Sequence, residues 1–197
     1  GDRIGDGALA REPIAVAQEV VAELQAIAEL TRGEVYWHEV IGTAVLGLDA
    51  AGRTPPRSSV PYLRGAPIAD TTDLALRVLA LRALGEDVGA LTARLERQRR
   101  RDGRIGPLVN STAWAAIALR KPGPATVRYL LRAQHRSGGW SWAPRGSPDS
   151  NDTAAAIQAL RAANLRGRPV RRGIAYLRRL QNRDGGFPLV ARGDSDA

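Results

Sequence analysis

The sequence predicts an all-α fold in which buried inner helices alternate with charged outer helices and stack side by side. Three observations predict it. A Gly- and Asp-rich turn recurs as RRRDGRIG (99–106), QHRSGGW (134–140) and QNRDGGF (181–187). Helix-like runs open on Asn, Asp and Thr at 69–81, 109–119 and 150–160, with Thr72, Thr112 and Thr153 spaced by 40 and 41 residues. Such a repeat fixes an architecture before any residue chemistry is argued. Finally, no period-two run of β-branched residues supports a strand.

Taken in order, residues 13–31 carry apolar side chains at Ile14, Ala17, Val20, Val21, Leu24, Ile27, Ala28 and Leu30, the steps of three and four of an amphipathic helix. A second helix begins near Glu39, runs through 43–51 and is stopped by Gly52. Residues 53–68 form a Pro-rich connector with at most one short helix. The stretch 70–84 is apolar nearly all round, as a helix buried on several sides must be, and Gly85 ends it. Residues 88–101 are amphipathic and charged, hence an outer helix. The pairing then repeats, with 111–120 inner and 124–135 outer, and 152–164 inner and 168–182 outer. Pairs of this kind cannot bury their apolar faces alone, so they stack. The stack is expected to curve into a ring, with every inner helix starting at one rim.

The turns have chemistry that suits this. Gly138–Gly139 and Gly185–Gly186 can reverse the chain at a helix end, and Asp102 and Asp184 can accept backbone N–H bonds there. Ile105, Trp140 and Phe187 fall at equivalent places and are expected to pack over the helix ends. Gln134 and Gln181 are placed to bond loose helix-end groups, and the first repeat has Arg99 instead.

Bulk properties narrow the function. The 197 residues suffice for a single domain spanning 1–197, and no apolar run approaches the roughly 18 residues of a membrane span. The start, GDRIGDGALAREP, reads as no signal peptide and lacks an initiator Met, which suggests a processed or trimmed chain. Zero cysteines remove disulfides, zinc–thiolate sites and thiol nucleophiles, and two histidines are too few for a His-rich metal site, so no metal or cofactor is expected. A net charge of +9 invites nucleic acid, yet Lys121 is the single lysine and the arginines are scattered. The one dense run, 94–104, reads better as the solvated end of a helix, where cations favour the negative dipole end, than as a phosphate-binding patch.

VRYLLRAQHRSGGW (127–140) and RRGIAYLRRLQNRDGGF (171–187) resemble the Gln–Trp repeats of squalene–hopene cyclases and the repeat of protein prenyltransferase β-subunits. The resemblance covers about residues 40–197 and implies the α/α toroid of the terpenoid cyclase/protein prenyltransferase superfamily, here partial. That toroid serves several activities. The zinc-dependent prenyltransferases and lanthionine cyclases, and the complement thioester domains, need a cysteine that this chain lacks.

DSNDTA (149–154) resembles the Asp-x-Asp-Asp-Thr-Ala motif of class II terpene cyclases, in which the middle Asp protonates an alkene. Carried over, the acid positions are Asp149, Asn151 and Asp152, and the donor's place holds an amide that cannot deliver a proton. Were the chain a cyclase, Asp149 and Asp152 would be its catalytic acids. Asp, Asn, Ser and Thr at these places are also good helix N-caps. The expected function is therefore a non-catalytic binding or interaction module with a cavity for an apolar, isoprenoid-like ligand. Asp149, Asn151, Asp152, Asn110, Asp73 and the inner-helix Trp114 are its candidate contacts. The alternatives are a minimal class II cyclase acting by protonation, and a basic nucleic-acid-binding surface. ARGDSDA (191–197) halts where a further inner helix would begin, so the expectation is a fragment, an open arc or a ring completed by another molecule. The edge near Asp194–Ala197 and the concave wall are expected to pair with a second chain or a second copy.

Overall fold

The computed structural model describes residues 37–190; the expected helix 13–31 and the edge Asp194–Ala197 lie outside the described residues. The described chain is all-helical: α1 (Trp37–Ala50), α2 (Ser59–Gly65), α3 (Thr71–Ala83), α4 (Gly89–Arg97), α5 (Val109–Leu119), α6 (Pro124–Ala133), α7 (Ser150–Ala162) and α8 (Arg168–Leu180). Among the described residues there are no strands, only two isolated β-bridges, Arg99 with Ile105 and Trp140 with Asp149. No described helix is long and apolar enough to cross a membrane.

The chain divides into two compact units. One holds the described residues up to Ala69 together with Leu76–Val88; the other holds Asp70–Ala75 and the described residues from Gly89 onward. In the first unit, α1 ends at Gly52, whose φ of 70° suits glycine, and α3 ends at Gly85 with φ 77°. The connector 53–68 carries the single short helix α2, and its end is tied down by the buried Arg77, which donates to the carbonyls of Ala66 and Pro67. Arg57 and Arg64 both reach Glu86 at 2.6 Å, and Arg57 also bonds the Leu84 carbonyl at 3.0 Å, occupying a helix-end acceptor.

Beyond α4 and the first turn of α3, the second unit is built from two helix pairs. The inner helices α5 and α7 lie side by side, and each packs against its outer partner, α6 or α8. Small side chains make the inner contact: Ala113, Ala115, Ala116 and Ala118 of α5 are buried, as are Ala155, Ala156 and Ala159 of α7. The outer helices bury only one stripe, Thr126 and Leu130 in α6 and Val170, Gly173, Tyr176 and Leu180 in α8. Trp140 fills the space between the pairs with no exposure, and its indole N–H donates to the Leu130 carbonyl at 2.7 Å. That carbonyl sits in the last turn of α6, where no intrahelical donor is available. Trp140→Phe should therefore leave a buried acceptor unpaired and lower stability by about 1–3 kcal/mol in urea unfolding.

Several expectations need correction. The outer helix α4 stops at Arg97 rather than Arg101, and its arginine run passes into the following turn. Inner helices α5 and α7 each start two residues earlier than capping residues alone suggest. In α5 the N-cap is Leu108, which has no capping side chain; Ser111, three residues in, supplies the bond instead, accepting from the Leu108 N–H at 3.1 Å.

The repeat register also changes. The N-caps are Asp70, Leu108 and Asp149, so Thr112 and Thr153 are equivalent while Thr72 corresponds to Asn110 and Asn151. Thr112 and Thr153 clip the turn to the inner helix, accepting from the backbone N–H of Ile105 (3.2 Å) and Trp140 (3.0 Å).

Among the turn residues, Asp102 and Asp184 do accept backbone N–H bonds, from Arg104 and Gly186. Ile105 and Trp140 are fully buried, but Phe187 is 38 % exposed and caps nothing in the same way. Gln134 bonds not a loose helix end but two carbonyls, Gly138 in its own turn (2.8 Å) and Pro169 in the first turn of α8 (2.9 Å). Arg99 serves the previous repeat similarly, reaching the Thr126 hydroxyl in the first turn of α6 while paired to Glu96 at 2.7 Å.

Candidate functional site

The N-termini of the inner helices bring the candidate acids to one rim. Asp149 precedes α7 in extended conformation, and its carboxylate accepts the Asp152 N–H at 2.7 Å. Asp70 does the same for α3, accepting from the Asp73 N–H at 2.9 Å. These are N-cap bonds, each of a kind that contributes about 1 kcal/mol. Side chains then link the starts of three helices in series. The Thr72 hydroxyl donates to Asn110 Oδ1 at 3.2 Å, and Asn110 Nδ2 donates to Asp152 Oδ1 at 2.6 Å.

Two later loops complete the rim. The orphan N–H of Asn110 is taken by the Trp142 carbonyl at 3.2 Å, and that of Ser150 by the Leu189 carbonyl at 3.0 Å. These bonds hold Trp142 and Leu189, 59 % and 46 % exposed, beside the acids. The result is a cavity of about 290 Å³ walled by Asn110, Trp142, Asp149, Asn151, Asp152 and Leu189. A smaller one of about 170 Å³ adjoins it through Asn151, with Phe187 and Leu177 in its wall.

Asp152 is the unusual group here. Burial pushes its carboxyl up to about 7, helped by the bond and negative charge of Asp149 and opposed by the Asn110 amide. Its titration therefore falls near neutrality, with the proton held below about pH 7, in a wall that also carries an indole and a leucine. Asn151, at the middle acid position, is exposed.

Of the sequence candidates, Asp149, Asn151, Asp152 and Asn110 come together in this cavity. Asp73 is buried at the third position of α3, and it is absent from the cavity wall. Trp114 packs against the apolar core of the second unit instead of lining the rim cavity. Sequence reasoning missed Trp142 and Leu189. The second tryptophan of Trp-Ser-Trp at 140–142 was the available signal, but extended backbone would put both rings on one face, whereas Trp140 is buried and Trp142 exposed.

The basic run is partly spent on structure: Arg99 is held by Glu96, and Arg104 lies 3.8 Å from Asp102. Among the described residues no group of three or more His, Cys, Asp or Glu is arranged to hold a metal ion. Comparison with protein-family models and with curated protein sequences gives no match.

Proposed function

We propose that this chain is a helical-repeat domain of the terpenoid cyclase and prenyltransferase type that binds an apolar small molecule without transforming it. One observation carries the reading: a protonatable carboxyl, Asp152, stands in a cavity wall with exposed Trp142 and Leu189. Such a wall suits a hydrophobic body bearing one hydroxyl or carbonyl, because a few polar groups in an apolar pocket fix orientation. The alternation of α5–α6 and α7–α8 supports the α/α toroid arrangement.

Two facts favour binding over cyclisation. Protonating an alkene takes a strong acid, and a carboxyl that titrates near 7 is a weak one. The cavity, at about 290 Å³, is also at the small end of ligand sites and below what a long polyene needs in folded form.

Titration with farnesol, followed by tryptophan fluorescence, is expected to give saturable quenching that weakens about tenfold in Trp142→Ala, the loss of roughly 1.4 kcal/mol of apolar contact. Incubation with squalene and with polyprenyl diphosphates is expected to return them unchanged. Cyclic products that vanish in Asp149→Asn or Asp152→Asn would establish the cyclase alternative, and absence of saturable binding would remove the ligand.

A further inference from the structure

A second cavity of the second unit, of about 580 Å³, lies between the 99–106 turn, the end of α6 and the 141–145 loop. Its wall is cationic: Arg104, Arg132, Arg136 and Arg145 face a single carboxylate, Asp102. Asp102 cannot balance them, since it is half-exposed, bonded to the Arg104 N–H and 3.8 Å from Arg104 Nε.

Two buried polar atoms in the same wall have no hydrogen-bond partner, the Tyr129 hydroxyl and Arg104 Nε. Buried donors are almost always satisfied, so two orphans in one cavity call for an acceptor that enters it. Burial also raises the Tyr129 phenol above its ordinary value, which keeps it protonated and a donor. Arg132 is already oriented, donating to the Asp102 carbonyl at 3.0 Å. Arg145 is held at φ 71°, outside the ordinary range of a side-chain-bearing residue. The first residue of α5, Val109, lies in the wall as well, so the positive end of that helix adds to the field. The end of α6 opposes it with partial negative charge, but four guanidinium groups outweigh one helix end.

We infer that this cavity binds a phosphate-bearing small molecule, its phosphoryl oxygens taken by Arg104, Arg132 and the Tyr129 hydroxyl. Guanidinium forks match phosphate geometry bidentately, and the excess of positive charge over Asp102 suits a dianion better than a single carboxylate. Val109, Ala133 and Pro144 supply an apolar wall for the rest of the ligand. This inference is independent of the rim cavity, which shares none of these residues.

The test is calorimetric titration of the full chain with inorganic phosphate and with phenyl phosphate, beside sedimentation with phosphatidylcholine vesicles with and without phosphatidic acid. Phenyl phosphate is expected to bind saturably and more tightly than phosphate. Arg104→Gln and Arg132→Gln should each weaken it at least tenfold, and Tyr129→Phe several-fold, while Arg166→Gln, on an exposed loop away from the cavity, leaves it unchanged. Binding of phosphatidate vesicles alone would identify the same chemistry in a lipid headgroup, provided the cavity variants abolish it. Circular dichroism of each variant separates lost binding from lost fold, and Tyr129→Phe keeps the ring in place if an arginine variant does not fold. Failure of all probes to bind at millimolar concentration would overturn the inference, as would equal binding by wild type and every cavity variant.

Discussion

Gly103→Ala is expected to destabilise the protein by about 3–5 kcal/mol, enough to unfold a large share of the molecules under ordinary conditions. Gly103 has φ 93°, and a Cβ there would sit 2.0 Å from the Ala125 carbonyl oxygen and 2.7 Å from the Thr126 N. Neither atom can give way, because both belong to the first turn of α6, whose Thr126 hydroxyl also bonds the Gly103 carbonyl at 2.8 Å. Gly138 stands in the same relation to α8: its φ is 101°, and a Cβ would meet the Arg172 carbonyl oxygen at 2.6 Å. The third glycine of the series provides the control. Gly185 has φ 90° but nothing within 4 Å of an added Cβ. Gly185→Ala should therefore cost only the left-handed backbone penalty, about 1–2 kcal/mol. Urea unfolding of the three variants checks this directly. Equal losses at all three positions would mean that backbone conformation alone, without the approach to the next outer helix, sets the cost.

That contrast shows how much the repeat conveyed. The glycines, the alternation of apolar and charged helices and the all-helical fold were legible because each is a local property of composition and period. Register was not. Thr72, Thr112 and Thr153 share a residue type and nearly a spacing, yet Thr72 lies at the second position of its helix and the other two at the fourth. A threonine hydroxyl can cap, bridge helices or clip a turn, so its identity does not reveal which it does. The same ambiguity hid the start of α5, where the N-cap is a leucine. The acids of the rim could be named from the sequence, but their wall could not. Trp142 and Leu189 arrive there through carbonyl bonds to helix N-termini distant in sequence, and no period predicts such bonds. The arginine cavity was invisible for a similar reason, since Arg104, Arg132 and Arg145 come from three separate segments.

Asp152→Asn is expected to raise stability at pH 8 and to leave it nearly unchanged at pH 4. The sign follows from the carboxyl's titration. Asp152 releases its proton at about 7 in the folded protein, against 3.8 for an ordinary aspartate. Below about pH 4 both states are protonated and the group contributes nothing. Between about 4 and 7 the unfolded chain gives up the proton while the folded chain keeps it, so folding loses stability as pH rises through that window. Above 7 the folded protein carries a buried carboxylate beside Asp149, and the loss is complete, with a ceiling of about 4 kcal/mol. Asparagine has the shape of the protonated acid, can still accept from Asn110 Nδ2, and has no charge to bury. The difference in Tm between Asp152→Asn and wild type should thus grow from near zero at pH 4 to several degrees at pH 8. Asn110 gives a second reading of the same network. Its amide favours the ionised form, so Asn110→Ala should push the Asp152 titration higher still, as followed by carbon NMR of the carboxyl. Asp149→Asn should bring it down, by removing the neighbouring negative charge. Parallel stability curves for wild type and Asp152→Asn across pH 4 to 8 would show that Asp152 ionises as freely as an exposed aspartate, and with that the protonated polar group proposed for the rim cavity would be lost.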